Sequence, residues 1–425
     1  MNALRRIVDA LIARLTSARL AVAVGEPLFR LFGFRGKGPL RIEEVKSVLI
    51  VRLDHIGDVV LMTSLIREFR RGLPDADITL VVPPVVKELF DPCPYVDEVL
   101  AFDPRLTGHL PLMQRHWRAL VLAARHLWRK RIELAILPRF SRDIYHGLFV
   151  AYFSGATWRA AYEQPRDDAA ARADFYRLIS HGFQGREGIR HEVLRNMEFL
   201  EHLGMEPADS KLELWIREED LDRLTEVLSA RGIAPEPFVA VAPGAGERKK
   251  TWPIERYCTL MPALLERLGM PIVVVGDSSE WSLGEQMAAV DRHHVFNLCG
   301  LLTLRSLVLL FDRCVLFVGN DSGPKHVAAA RGTPIVEISL HPATAPAHHA
   351  KSPERFGAWG VARKVSRPRR PVPPCTETCA SFEAHCIRSV SVRDVMTAVD
   401  SLIQEESLEP GPMPWGPLDS TGCSG

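Results

Sequence analysis

Four short segments of the chain gather groups that suit a phosphorylated, hydroxyl-rich ligand. In Asp54-His55-Ile56-Gly57-Asp58, the Asp58 carboxylate reads either as a helix cap accepting backbone N–H groups or as a base, and Gly57 lets backbone approach a ligand closely. Pro243-Gly244-Ala245-Gly246-Glu247-Arg248-Lys249-Lys250-Thr251-Trp252-Pro253 sets small residues before three consecutive cations, which suits phosphate; its bland alternative is a solvated turn. Gly276-Asp277-Ser278-Ser279-Glu280 offers carboxylates and hydroxyls for ribose or sugar hydroxyls, although Asp and Ser also favour turns and caps. Gly319-Asn320-Asp321-Ser322-Gly323-Pro324-Lys325-His326 can meet an anion with backbone N–H groups, the Ser322 hydroxyl and Lys325. The second and fourth of these segments, expected in one domain, point together to a nucleoside diphosphate. Neither GxxxxGK[ST] nor GxGxxG occurs, which counts against an ATPase and against an NAD enzyme.

The elements that must hold these loops are strands alternating with amphipathic helices, the pattern of a parallel α/β fold. A first series runs through strands at 47–53, 78–82, 97–102 and 134–137, with helices near 59–71, 111–129 and 142–153. A second runs through strands at 238–242, 271–276, 295–298, 314–319 and 334–339, with helices near 254–267, 303–311 and 325–331. Helical residues 189–231 separate them and end at Ala-Pro-Glu-Pro, 234–237. The expected organisation is an N-terminal extension at 1–44, a first domain at 45–235, a second at 236–405, and a Gly/Pro-rich, disordered tail at 406–425. All four loops leave C-terminal strand ends, where parallel sheets bind ligands.

Composition is ordinary for a globular protein: 425 residues, 47% hydrophobic, 53 Lys and Arg against 52 Asp and Glu. That excludes a largely disordered chain, and a net charge of +1 argues against a dedicated nucleic-acid binder. Of eight cysteines, Cys93, Cys258, Cys299, Cys314 and Cys423 stand alone, as in a reducing compartment. No apolar run is long enough to span a membrane and no signal-peptide pattern opens the chain, so the expected location is the cytoplasm. Leu4, Ile7, Val8, Leu11, Ile12 and Leu15 nevertheless form one apolar helical stripe, with Arg5, Arg6, Arg14 and Arg19 off it. Such a basic amphipathic helix either lies on anionic lipid at the inner face of the membrane or packs on the first domain.

The combination resembles glycosyltransferase family 9, the ADP-heptose:lipopolysaccharide heptosyltransferases, over roughly residues 45–400. The residues carrying the resemblance are VLIVRLDHIGDVVLMTSLIREFRRGLPDADITLVV (48–82), PYVDEVLAFD (94–103), VAPGAGERKKTWPIERY (241–257), VVVGDSSE (273–280) and FVGNDSGPKHVAAARGTPIV (317–336). The resemblance implies the GT-B architecture, two Rossmann-like domains facing across a cleft, with acceptor on the first and donor on the second. It implies inversion without a metal or other cofactor. By motif position, Asp58 corresponds to the base, Lys250 to the lysine neutralising the diphosphate, and Glu280 to a ribose contact. Asp321 would hold sugar hydroxyls, with Gly246, Ser322, Gly323, Lys325 and His326 around the phosphates. Arg139 and Arg142 are the candidate acceptor contacts. The implied partners are a nucleotide-sugar donor and a lipid-linked saccharide. Ser64 stands where the family usually has proline.

Other clusters carry competing readings. Asp75-Ala76-Asp77 spells an acidic metal pair but precedes a strand, at the wrong end of the sheet, and reads as a turn. Asp220 and Asp222 lie two apart on a helix and do not face each other. Cys375, Cys379 and Cys386, with His385 or another residue, match a small zinc site, although a fourth ligand at regular spacing is missing; unpaired cysteines in a Pro-rich loop are the alternative. His341, His348 and His349, near the expected donor pocket, read either as contacts to the sugar or diphosphate or, as the safer assignment, as exposed loop histidines. Arg363, Lys364, Arg367, Arg369 and Arg370 read as a solvated run or a lipid-facing one. The function expected is therefore inverting transfer of heptose from ADP-heptose to a lipopolysaccharide core or related glycolipid. The alternatives are another nucleotide sugar, a non-catalytic GT-B-like binding protein, and an NAD- or phosphate-dependent enzyme.

Overall fold

Val48, Leu49, Ile50 and Val51 are an unbroken β-branched and aliphatic run, and all four are buried, as befits a central parallel strand covered on both faces. The computed structural model describes residues 15–35, 38–105, 111–141, 143–163, 176–188, 190–234, 237–349 and 351–406. Contacts divide the chain into two units, after Trp215. The first holds β1 (Ser47–Val51), β2 (Asp77–Val82), β3 (Glu98–Ala101), β4 (Leu134–Leu137), β5 (Trp158–Tyr162) and β6 (His181–Phe183), all parallel, in the order β3-β2-β1-β4-β5-β6. The second holds β7 (Phe238–Ala242), β8 (Ile272–Val274), β9 (Val295–Asn297), β10 (Cys314–Asn320), β11 (Ile335–Ile338) and β12 (Arg363–Ser366), again parallel, in the order β12-β11-β10-β7-β8-β9. Each is the doubly wound Rossmann order, whose switch point lies between β1 and β4 in one unit and between β7 and β10 in the other.

The structure adds strands that periodicity does not reveal. In β5, Arg159 interrupts the apolar run, yet it is buried, its guanidinium donating to the carbonyls of Leu178 (2.7 Å) and Ala156 (2.7 Å). The cationic run at 363–370 is not simply solvated: Arg363 and Lys364 open the edge strand β12, Arg363 donates to Pro353 O (3.1 Å) and Ala358 O (3.0 Å), and Arg367 pairs with Glu354 at 2.8 Å. Arg369 and Arg370 remain exposed. The helix Glu218–Ala230, ahead of the Pro-containing break at 234–237, belongs to the second unit; Asp220, fully buried in its first turn, accepts the Arg217 N–H at 2.7 Å and pairs with Arg305 Nε at 2.8 Å. The acidic pair at 75 and 77 is a strand entrance, with Asp77 Oδ1 3.0 Å from Lys130 Nζ.

The helix Ala18–Leu31 is capped by Ser17, which accepts from the Leu20 N–H, and it buries Ala18, Ala21 and Phe29. Phe29 meets Tyr152 edge-on at 5.6 Å, and Arg35 donates to Gly155 O (2.7 Å) and Ala156 O (2.9 Å). This helix therefore packs on the first unit. Its other side leaves Leu20, Val24, Leu28, Leu31 and Phe32 exposed, Leu31 at 77%. The stripe at 4–12, with Arg5, Arg6 and Arg14, and the tail beyond 406 lie outside the described residues. Among the described residues, no helix is long and apolar enough to cross a membrane.

Candidate active site

At the first switch point, β1 runs out into Arg52, Leu53, Asp54 and His55. Asp58 is the third residue of the helix Ile56–Val60, and His55 holds the cap position, so Asp58 is not the cap. Its Oδ1 lies 3.6 Å from Arg52 Nη2, and its side chain is 21% exposed. Arg52 is buried; its Nε lies 2.7 Å from Asp54 Oδ2 and its Nη1 donates to Pro138 O at 2.5 Å. Arg139, from the loop after β4, pairs with the other Asp54 oxygen and lies over the Tyr145 ring at 5.1 Å. Burial and the neighbouring Arg52 push Arg139 down to about 10, which leaves it charged at neutral pH. His55 Nδ1 is 2.9 Å from Arg105 Nη2 and its Nε2 is 3.2 Å from Tyr145 Oη. Arginine cannot accept, so Nδ1 is the acceptor and Nε2–H faces the tyrosine. Arg142 lies outside the described residues. Ser64 is fully buried, with no partner for its hydroxyl among the described residues.

At the second switch point two loops meet. Lys250 Nζ donates to Asp321 Oδ2 and Lys325 Nζ to Asp321 Oδ1, each at 2.7 Å. Lys325 also donates to Glu337 Oε2 (3.0 Å) and Phe356 O (3.1 Å), which uses all three of its protons, and it is fully buried. Lys325 is thus engaged from within, and Lys250, 19% exposed, is the lysine with a face to the outside. Burial pushes the Asp321 carboxyl up, but Lys325 and Lys250 outweigh it and hold it well below the usual carboxylate range. Burial pushes Glu337 up, with Lys325 opposing. Asn320, fully buried, joins the loops: its Oδ1 accepts from Trp252 N (3.1 Å), and its Nδ2 donates to Pro243 O (2.6 Å) and Gly244 O (3.3 Å).

Ser322 caps the helix Gly323–Ala330 without a side-chain cap bond; its hydroxyl donates to Asn320 O at 3.3 Å, and His326 is buried. Glu280 closes a capping box with Asp277, accepting its N–H at 3.0 Å. Burial raises Glu280, the Asp277 N–H lowers it, and the Asp277 charge raises it further. Glu280 sits hard against two glycines: a Cβ on Gly244 would collide with Oε1, and one on Gly276 with Oε2. Gly246 has nothing within 4 Å of such a position.

The histidines after β11 are not uniformly exposed. His341 is buried, stacks on His349 at 5.4 Å, and has no hydrogen-bond partner on either ring nitrogen among the described residues. Burial lowers both. The cysteine loop does gather a fourth side chain able to ligate a metal: His385 lies with Cys375, Cys379 and Cys386. Sequence reasoning gave no role to Arg52, Asp54, Asn320 and Glu337, all buried and polar, although Asp54 and Asn320 stand inside two of its candidate segments. For Arg52 and Glu337 the available signal was a charge within or just beyond an apolar strand, as in the VLIVR of β1 and the PIVEIS of β11.

The model of glycosyltransferase family 9 (heptosyltransferase) matches residues 173–384, which include the loops at 243–253, 276–280 and 319–326. Lipooligosaccharide heptosyltransferase 2 of Haemophilus ducreyi is 25% identical over 316 residues, 71% of this chain and 85% of that protein. Among solved structures, a family 9 glycosyl transferase from Veillonella parvula has a TM-score of 0.68 at 20% identity, covering 87% of this chain and 100% of the other. The ADP-heptose lps heptosyltransferase II of E. coli has a TM-score of 0.61 at 19% identity, covering 85% and 99%. The paired Rossmann-like units are those of the GT-B fold. The chain belongs to glycosyltransferase family 9, the heptosyltransferases, and is a sugar-transferring enzyme.

Proposed function

We propose that the chain transfers heptose from ADP-heptose to a lipopolysaccharide core or related lipid-linked saccharide, with inversion and with Asp58 as general base. In the reaction the acceptor hydroxyl attacks the anomeric carbon, its proton passes to an Asp58 oxygen, and the bond from that carbon to the diphosphate oxygen breaks with the electron pair leaving on ADP. Such a step needs a base, countercharge for the departing diphosphate, and exclusion of water. The observation that carries the reading is the Lys250–Asp321–Lys325 chain at the β7/β10 switch point. Lys250 there supplies countercharge, aided by N–H groups opening the helix Gly323–Ala330. Lys325 sets the Asp321 carboxylate, and Glu280 receives the ribose. On the first unit, the charged group around Asp54, with Arg139, faces the acceptor. The similarity to the ADP-heptose lps heptosyltransferase II of E. coli supports ADP-heptose as the donor.

Calorimetry of the full chain against ADP, UDP, GDP and NAD, followed by transfer assays with ADP-heptose, tests this reading. ADP should bind most tightly, and transfer should proceed at the same rate with or without added Mg2+ or Mn2+. Asp58→Asn should keep ADP affinity while turnover falls by about 10²–10⁴, the range for a lost general base. Preference for UDP or GDP would move the donor to another nucleotide sugar. Near-full turnover of Asp58→Asn would remove that residue from the mechanism.

A further inference from the structure

Between β12 and the helix Val392–Glu406 the chain forms a long loop whose regular structure among the described residues is one short turn of helix, Cys386–Ser389. Four metal-ligating side chains converge in it: Cys375, Cys379, His385 and Cys386 each offer one ligand atom, all within 4.8 Å of one another. His385 Nδ1 lies 3.6 Å from Cys375 Sγ and 3.6 Å from Cys386 Sγ. A tetrahedral ion with metal–sulfur bonds of about 2.3 Å and metal–nitrogen bonds of about 2.0–2.1 Å sets nitrogen and sulfur about 3.6 Å apart. Cys386 accepts the Val372 N–H at 3.5 Å, the kind of outer contact that orients a thiolate ligand. Cys379 and Cys386 are buried beside the core of the second unit, where three thiols and an imidazole without an ion would be weakly bonded polar groups in a loop lacking a sheet or helix to hold it.

We propose that Cys375, Cys379, His385 and Cys386 bind one thiophilic cation, zinc or iron, and that this ion holds the loop as a wall of the 243–253 segment. A cavity of about 320 Å³ lies on the flank of that segment, lined by Arg248 and Trp252 on one side and by Glu383, Ala384 and Arg388 from the cysteine loop on the other. Two direct links join the walls: Arg248 pairs with Glu383 at 2.9 Å, and Trp252 Nε1 donates to Val390 O at 2.9 Å. A ligand set of three sulfurs and one nitrogen selects zinc or iron over magnesium or calcium. All four sulfur and nitrogen ligands come from the chain, which closes the site and gives the ion a structural role rather than a place in the transfer step.

Metal analysis of the full chain, purified without chelator or immobilised metal, decides the point. The expected result is close to one zinc or iron per chain, with visible sulfur-to-iron charge-transfer absorption marking iron. His385→Ala and Cys375→Ser should each lower the metal content, and the wild-type chain stripped and refilled with Co2+ should show the visible bands of a tetrahedral thiolate site. A wild-type chain that carries no metal, or that shows a disulfide among the three cysteines and no Co2+ bands, overturns the proposal, and neither result depends on a variant that folds. The link to the 243–253 loop rests on the donor reading: ADP affinity should fall on stripping and return on refilling. Unchanged ADP affinity in stripped protein would overturn that link. Absence of ADP binding by the loaded chain would overturn the donor reading and leave the metal count standing.

Discussion

Asp321 and its two lysines differ in what their removal would do, and that difference selects the informative variant. Lys325 is fully buried with every proton donated, so deleting Asp321 leaves a buried ammonium short of a partner, at a cost of about 3–5 kcal/mol typical of a broken buried pair. Such a variant would report stability before it reported binding. Lys250 stands at the rim, and Lys250→Met keeps the aliphatic stem while Asp321 retains Lys325. We expect Lys250→Met to melt close to wild type, to bind ADP at least tenfold more weakly by calorimetry, and to lose turnover as well. Wild-type affinity together with wild-type rate would end the assignment of Lys250 to the diphosphate. The same residues show what was legible beforehand. Asp58, Lys250 and Asp321 announce themselves because charge and glycine follow directly on apolar strands. The partners Arg52, Glu337 and Asn320 do not, because each meets groups on another segment: Arg52 the Pro138 carbonyl after β4, Glu337 the Lys325 ammonium on the preceding helix, and Asn320 the loop at 243–253.

Among the loops, the glycine that matters is decided by a side chain more than thirty residues away. The capping box fixes Glu280 over Gly244, so a methyl group there meets a carboxylate held by the Asp277 N–H. Gly244→Ala must displace Glu280 or shift the loop, and overpacking of this kind costs about 1–3 kcal/mol. Gly246 faces open space, and Gly246→Ala should fold like wild type. Thermal melting with parallel ADP titration checks the pair. Gly244→Ala should lower both melting temperature and affinity, whereas in Gly246→Ala only affinity is open to change. Equal melting temperatures for the two variants would show that Glu280 does not hold the position described. Strands follow a similar rule of legibility. β1, β2, β7 and β10 read as apolar runs because both faces are covered. β5, with a buried arginine, and the edge strand β12, opening on Arg363 and Lys364, break the run and escape notice.

At the scale of the chain, two units with no visible sequence repeat share one strand order, since a right-handed β-α-β crossover repeated outward from a central strand has few solutions. The helix Ala18–Leu31 comes before the first strand, and its two faces make opposite demands. Phe29, Ala21 and Ala18 are buried, and Tyr152 Oη donates to Ala21 O at 3.3 Å, so truncation to residue 43 would strip packing from the first unit, not merely an anchor. The opposite face is apolar and open, with Leu20, Val24, Leu28, Leu31 and Phe32 exposed beside Arg19 and Arg30. We propose that this face settles into the headgroup boundary of an anionic membrane, where a lipid-linked acceptor is found, with each nearby cation adding roughly 1 kcal/mol before screening. The test keeps the helix and changes only its open face: Leu28→Ser, Leu31→Ser and Phe32→Ser together. Wild type should sediment with vesicles of anionic lipid and release as salt rises. The triple variant should stay in the supernatant with an unchanged melting temperature and unchanged ADP affinity, because none of the three side chains is part of the packed face. Equal sedimentation of variant and wild type would leave this helix as packing for the first unit and nothing more.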